Sequence, residues 1–275
     1  MLGMPEAICD GNKLKVPRGH TQTTLAALVT SKEPLQTEVL IELIWTGTPP
    51  PHADVQVRGY ISTLRRIFRD ACGDQIIEGD GSGYYIETDF RLDIAEFEER
   101  LGQADALDRK DPETARAFLE EAFELWHGNE PFGGLDSPSL NDQAAELKEN
   151  LKDARELWCA LGQELGRHRQ VLPALRLLAK ENPHRESVYE KLMITLQALG
   201  RHAEALEVYE TVRQNISRDL GGDPSPALQS LYHRLLGTPS TRSAPAKPTP
   251  RIPAESRPVQ IPAQDYPGRQ PAPQE

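Results

Sequence analysis

The stretch DVQVRGYISTLRRIFRDAC, residues 54–72, constrains the chain more than any other. Val57, Ile61, Leu64 and Phe68 recur at steps of four, three and four, which makes one apolar face of an α-helix that has to be covered. Arg58, Arg65, Arg66 and Arg69 lie off that face. With an advance of about 100° per residue, Val55, Gly59, Ser62, Thr63 and Arg66 fall opposite it. Such a helix either carries a solvated rim or pushes arginine into something negative, and periodicity alone leaves both open.

What flanks the helix narrows the choice. MLGMPEAICDGNKLKV, residues 1–16, alternates weakly around Asp10-Gly11-Asn12, which predicts two short strands near Met4–Cys9 and Lys13–Val16. HTQTTLAALVTS predicts a helix with Leu25, Leu28 and Val29 inward, and TEVLIELIW a second, with Thr37 as its N-cap. TGTPPPH, Thr46 to His52, holds three prolines, which remove donors and fix φ, so it cannot be helix. After the arginine helix, DQIIEGDGSGYYIETDF reads as a hairpin around a glycine-rich turn. Strands, three helices and a hairpin, in that order, make a winged helix-turn-helix, whose third helix enters a DNA groove. Here that is the arginine helix.

From Asp93 to about Gly237 the pattern is helical throughout. PETARAFLEEAFELWHG is amphipathic, with Gly128 as the expected stop, and SLNDQAAELKENLKDARELWCALGQEL is one long helix. Gly166-Arg167-His168 recurs as Gly200-Arg201-His202, 34 residues on, and each copy opens a helix. That is the tetratricopeptide period. Residues 238–275 hold ten prolines in 38 and are expected to be a disordered tail. The organisation is therefore a winged helix over 1–90, a tetratricopeptide-like module over 91–237 and the tail. The fold class is mainly α with a small β component.

Composition adds exclusions. No apolar run approaches the roughly 18 to 20 residues of a membrane span, and no signal peptide is visible at the N-terminus. Cys9, Cys72 and Cys159 are odd in number and form no CxxC pair, which suits unpaired thiols in a reduced cytoplasm and gives no metal framework. Seven scattered histidines lack metal-ligand spacing, and no phosphate loop or nucleophile–base set is visible, so neither a cofactor nor an enzyme is expected. The net charge of −11 opposes bulk attraction to nucleic acid. Residues 1–89 alone carry eight Lys and Arg against twelve Asp and Glu, a net of −4, so the basic groups of the third helix must make the contact.

Two motifs carry a family resemblance. LIELIWTGTPPPHADVQVRGYISTLRRIF resembles the SARP (Streptomyces antibiotic regulatory protein) pattern, through Trp45, Pro49 to Pro51, and Tyr60, Ile61, Ser62, Leu64, Arg65 and Arg66. LDIAEFEERL and ENPHRESVYEKLMITLQALGRHAEALEVYETVRQNISRDLGGDPSPALQSLYHRLL resemble the beginning and end of that family's second module, the bacterial transcriptional activator domain. The resemblance covers residues 2–237. It implies an OmpR/PhoB-type winged helix and activation of a secondary-metabolite gene cluster. Tandem copies would bind direct repeats of double-stranded DNA, self-associate there and recruit RNA polymerase with its sigma factor. Three features depart from the family's pattern. The chain opens directly on Met1-Leu2-Gly3, so a short first strand or a start further upstream is expected; Thr21-Gln22-Thr23 stands where the first helix is usually basic; and Glu78, Asp80 and Ser82 leave the wing without its usual arginine.

The expected DNA-contacting residues are Gln56, Arg58, Gly59, Ser62, Thr63, Arg65, Arg66 and Arg69. Arg66 is assigned to a guanine edge and Gln56 to adenine; Arg58, Arg65 and Arg69 flank the strip toward phosphates. Thr48, Pro49, Pro50 and His52 belong either to a polymerase-contacting loop or to a plain connector. Trp45 closes an amphipathic helix and is expected in the core, as are Trp126 and Trp158. A different reading remains open: a tetratricopeptide adaptor whose degenerate winged helix binds protein, which the net −4 of residues 1–89 and the acidic wing favour.

Overall fold

A computed structural model describes residues 1–73, 75–87, 90–107, 110–128 and 130–237. The proline-rich stretch expected to be disordered lies outside the described residues. Two minimal strands, β1 (Ile8–Cys9) and β2 (Asn12–Lys13), pair antiparallel across a turn in which Asp10 and Gly11 both take positive φ. They are shorter than the alternation predicted. Pro5 has no amide to donate, and the ladder beyond the strands is one bond, Leu14 N–H to the Ala7 carbonyl at 2.8 Å.

Three helices follow: α1 (His20–Thr30), α2 (Thr37–Ile44) and α3 (Ala53–Cys72). Thr37 is the first residue of α2 and not its cap; Gln36 occupies that position without a side-chain bond. Leu25, Leu28, Leu40, Ile44, Val57, Ile61, Leu64 and Phe68 close one core, while Val29 is half-buried at its edge. The wing is β3 (Ile77–Asp80) paired antiparallel with β4 (Gly83–Ile86), Ile77 opposite Ile86 and Asp80 opposite Gly83. A reciprocal pair of backbone bonds between Leu35 and Tyr84, both 2.8 Å, ties the wing to the α1–α2 connection. Gly83 makes that approach possible. Its φ is +135°, and a Cβ there would lie 2.6 Å from the Leu35 carbonyl.

The cysteines differ from expectation. Cys9 and Cys72, 63 residues apart, are joined by a disulfide with Cα atoms 6.0 Å apart, fixing the β1–β2 turn to the end of α3. Sequence spacing does not report distance across a fold, so the pairing could not be read from the chain. Cys159 is free and buried, and that burial pushes its thiol up to about 12.

Seven further helices follow among the described residues: α4 (Asp93–Leu107), α5 (Pro112–Glu124), α6 (Pro138–Glu164), α7 (His168–Glu181), α8 (Glu186–Ala198), α9 (His202–Leu220) and α10 (Pro226–Gly237). α5 begins on an Asp111 cap that accepts the Thr114 amide, with Pro112 at the first helical position. It ends before Gly128, because Leu125 closes it through the Ala122 carbonyl. The repeated tripeptide works as its period implies. Gly166 and Gly200 take φ of 69° and 72°, and each turns the chain into the next antiparallel helix, α7 or α9. Val171, Leu175, Val188, Leu192, Met193, Leu196, Val212 and Leu231 fill the space between α7, α8, α9 and α10.

Charge pins α6 to α8. Arg185 donates from Nε to Glu156 at 2.7 Å and from Nη1 to Glu149 at 2.9 Å, and it also pairs with Asp153. Lys191 reaches the other Glu156 oxygen at 2.7 Å. Trp126, partly buried, packs edge-on against Phe97 at the margin of the core around that residue. Trp158 lies at a polar margin of the core, its face 4.0 Å from the buried Arg116 guanidinium and its indole N–H donated to Glu120 at 2.8 Å.

The first three residues belong to the helical core, although the sequence places them with the winged helix. Met1 and Leu2 are buried with Ala26 of α1 against Phe97, Ala122 and Phe132. The Met1 and Leu2 nitrogens both donate to Asp93 at the start of α4. The carbonyls of Met1, Leu2 and Gly3 accept from Phe132, His127 and Gly133 at 2.9–3.0 Å.

Candidate nucleic-acid interface

α3 starts where the prolines end. His52 takes a left-handed conformation, φ 62°, and turns the chain into the helix. The face predicted to be apolar is buried along its whole length, at Ala53, Val57, Ile61, Leu64 and Phe68. The opposite strip faces solvent: Val55, Gly59, Ser62 and Arg66 are exposed, with Thr63 partly covered beside them. A Cβ at Gly59 would meet nothing within 4 Å. Nothing in the described residues stands over this strip.

The arginines divide into three kinds. Arg66 makes no hydrogen bond or ion pair among the described residues, so its five donors are available. Arg58 and Arg69 are exposed and loosely held: Arg58 donates to Asp54 one turn back at 2.7 Å, and Arg69 to Gln75 at 3.3 Å. Exposed pairs of this type cost little to exchange. Arg65 departs from the phosphate role the sequence suggests. Its Nε donates to the Ile77 carbonyl at 2.8 Å, and its guanidinium lies 5.9 Å from the Tyr84 ring centre, so it fastens the wing to α3.

The other expected contacts also divide. Gly59 and Ser62 lie on the free strip. Thr63 turns its hydroxyl back onto the Gly59 carbonyl at 2.9 Å. Gln56 accepts the Tyr60 hydroxyl at 3.2 Å. A bidentate pairing with adenine needs both amide atoms, so Gln56 as placed offers only its nitrogen. Tyr60 in turn meets His20 at 3.2 Å, and Trp45 packs edge-on to the His20 ring, 5.0 Å between centres. Trp45 is thus partly buried, at the junction of α1, α2 and α3. Sequence reasoning missed this cluster because its members belong to different helices. Thr48, Pro49 and His52 are exposed and Pro50 half-buried in the connection between α2 and α3.

The wing is anionic at its tip. Hydrogen bonds from the Ser82 side chain and amide hold the Asp80 carboxyl below the usual carboxylate range, so it stays ionised. Glu78 points the same sign of charge outward, bonded to Gln75 at 3.1 Å. Among the described residues no group of three or more His, Cys, Asp or Glu is disposed to hold a metal ion, and no helix is long and apolar enough to cross a membrane.

Comparison with known proteins agrees with this architecture. Residues 92–236 match the family described as bacterial transcriptional activator domain. The regulatory protein AfsR of Streptomyces coelicolor is 31% identical over 276 residues, 98% of this chain and 27% of AfsR. The regulatory protein DnrI of Streptomyces peucetius is 28% identical over 72% of this chain and 76% of its own length. Mycobacterium tuberculosis EmbR, solved in complex with a low affinity phosphopeptide, superposes with a TM-score of 0.78 at 27% identity, over 86% of this chain and 63% of EmbR. The chain spans about a quarter of the length of AfsR. With the activator-domain match covering more than half of its residues, it belongs to the SARP family of transcriptional regulators.

Proposed function

We propose that the chain is a sequence-specific DNA-binding transcriptional activator, serving a secondary-metabolite (antibiotic) gene cluster. The observation that carries the reading is Arg66, exposed on the solvent strip of α3 and without a partner among the described residues. α3 enters the major groove along the Val55–Gly59–Ser62–Arg66 strip, where small side chains allow close approach and Arg66 pairs with a guanine edge. Arg58 and Arg69 exchange their weak protein partners for phosphates. Two copies bind direct repeats side by side, touching through the helical module. The exposed loop Thr48–His52 recruits RNA polymerase through its sigma factor. The names of the relatives, all regulatory proteins, support the general reading.

The adaptor reading is favoured by two features, the net −4 of residues 1–89 and the acidic wing. A mobility-shift titration with the protein's own upstream region separates the two. A retarded complex that survives excess non-specific duplex supports the activator. Binding no tighter than to random duplex, at low salt, refutes it and leaves the adaptor.

A further inference from the structure

We propose that Val55 reads the 5-methyl group of a thymine, and so fixes one base of the target sequence. This rests on the DNA-binding reading above. Val55 is 56% exposed, the only large apolar side chain of α3 left in solvent. It is the third residue of the helix, and residues near the N-terminus of a recognition helix are among those that contact base edges. At about 100° per residue, it shares its strip with Gly59, Ser62 and Arg66. One turn on, Gly59 leaves open space, which lets the backbone approach closely enough for a short side chain to touch a base.

The chemistry selects thymine. Val55 has no donor or acceptor, so it cannot satisfy the polar edges of guanine, cytosine or adenine. The thymine methyl is the one apolar group displayed in the major groove. A protein partner is a poorer fit: Val55 stands alone among polar neighbours, Asp54, Gln56 and Arg58, and not in an apolar patch of the size that protein contacts use. Eleven residues separate Val55 from Arg66, about 16 Å along a helix. The thymine and the guanine therefore lie toward opposite ends of one recognition stretch.

The test uses the full chain. A target is first selected from random duplex. Each thymine in it is then replaced by deoxyuridine, which removes only the methyl. Affinities are measured by fluorescence anisotropy for the parent and for Val55→Ala, a change at an exposed position to a better helix former. At one thymine per bound repeat, deoxyuridine should weaken the parent about fourfold, the effect of losing one buried methyl. Val55→Ala should bind thymine about fourfold more weakly and be indifferent to deoxyuridine at that position. If Val55→Ala binds like the parent, or responds to every methyl as the parent does, the inference fails while the DNA-binding reading stands. If selection enriches no sequence, both fail.

Discussion

Replacing Arg66 with alanine separates sequence reading from charge. The free protein loses nothing, because Arg66 has no partner among the described residues and stands in solvent. Alanine is also the better helix former, so thermal stability should be unchanged or slightly raised. A bidentate arginine–guanine contact is worth about 1–3 kcal/mol of discrimination, or roughly 5- to 150-fold in affinity per copy. On a tandem site the loss applies twice. Operator binding should therefore fall by far more than binding to a scrambled duplex of the same length, and operator recognition by Arg66→Ala should be lost. Anisotropy titrations on both duplexes, at several salt concentrations, give the ratio and the salt slope together. Arg58→Ala and Arg69→Ala serve as contrasts. If they touch phosphates, each flattens the slope by about 0.9 and weakens both duplexes alike. A folded Arg66→Ala protein with the parent's operator-to-scrambled ratio would refute the placement of α3 in the groove.

Three further outcomes follow from particular contacts. Gly83→Ala should destabilise the protein by roughly 2 kcal/mol or more, since the new Cβ meets the Leu35 backbone at 2.6 Å; a denaturant midpoint equal to the parent's rules out that approach. Glu156→Gln should lower stability in a pH-dependent way. Burial alone would raise this carboxyl, but Lys191, Ser187 and Arg185 outweigh it and hold it below its ordinary 4.5. The parent's advantage should then be complete above about pH 4.5 and shrink as pH falls through the lowered folded value; a gap that widens on acidification contradicts the sign. Truncation after Gly237 should leave operator affinity intact; weaker binding by the truncated chain would give a role in phosphate contact to the tail's five basic residues.

What the sequence disclosed, and what it did not, follows from the range of the interactions. The apolar face of α3 was legible because a helix repeats its environment every few residues, and Val57, Ile61, Leu64 and Phe68 keep that register without a break. The 34-residue glycine repeat was legible for the same reason: Gly166 and Gly200 answer a local need for positive φ. Arg65 was not. It is one residue from Arg66 and chemically identical, and only the position of the Ile77 carbonyl, 12 residues on, separates a fastening role from a free one. Cys9 and Cys72 meet only because the β1–β2 turn folds back on the end of α3. The packing of Met1 and Leu2 into the helical core was not legible either, because a three-residue strap has no period at all.

That strap also changes what a domain deletion can mean. Removing residues 93–237 takes away Asp93, Phe97, Ala122 and Phe132, the groups that bury Met1, Leu2 and Ala26. An isolated winged helix would expose Leu2, now fully buried, and lose the cover over Ala26 on α1. Weaker DNA binding by such a fragment could then reflect a loosened α1 as easily as a lost contact between copies. The acidity of the chain points to a cleaner measurement on the intact protein. At physiological salt, charges more than about 8 Å from the DNA are largely screened, so the distant carboxylates behind the net −11 oppose binding weakly. The strip itself offers few cations to phosphates, chiefly Arg58 and Arg69. If α3 docks on DNA as proposed, one copy should bind weakly with a shallow salt dependence, and the useful affinity is expected from neighbouring copies. Comparing the full chain on one repeat and on two in tandem tests this directly, without cutting through a shared core.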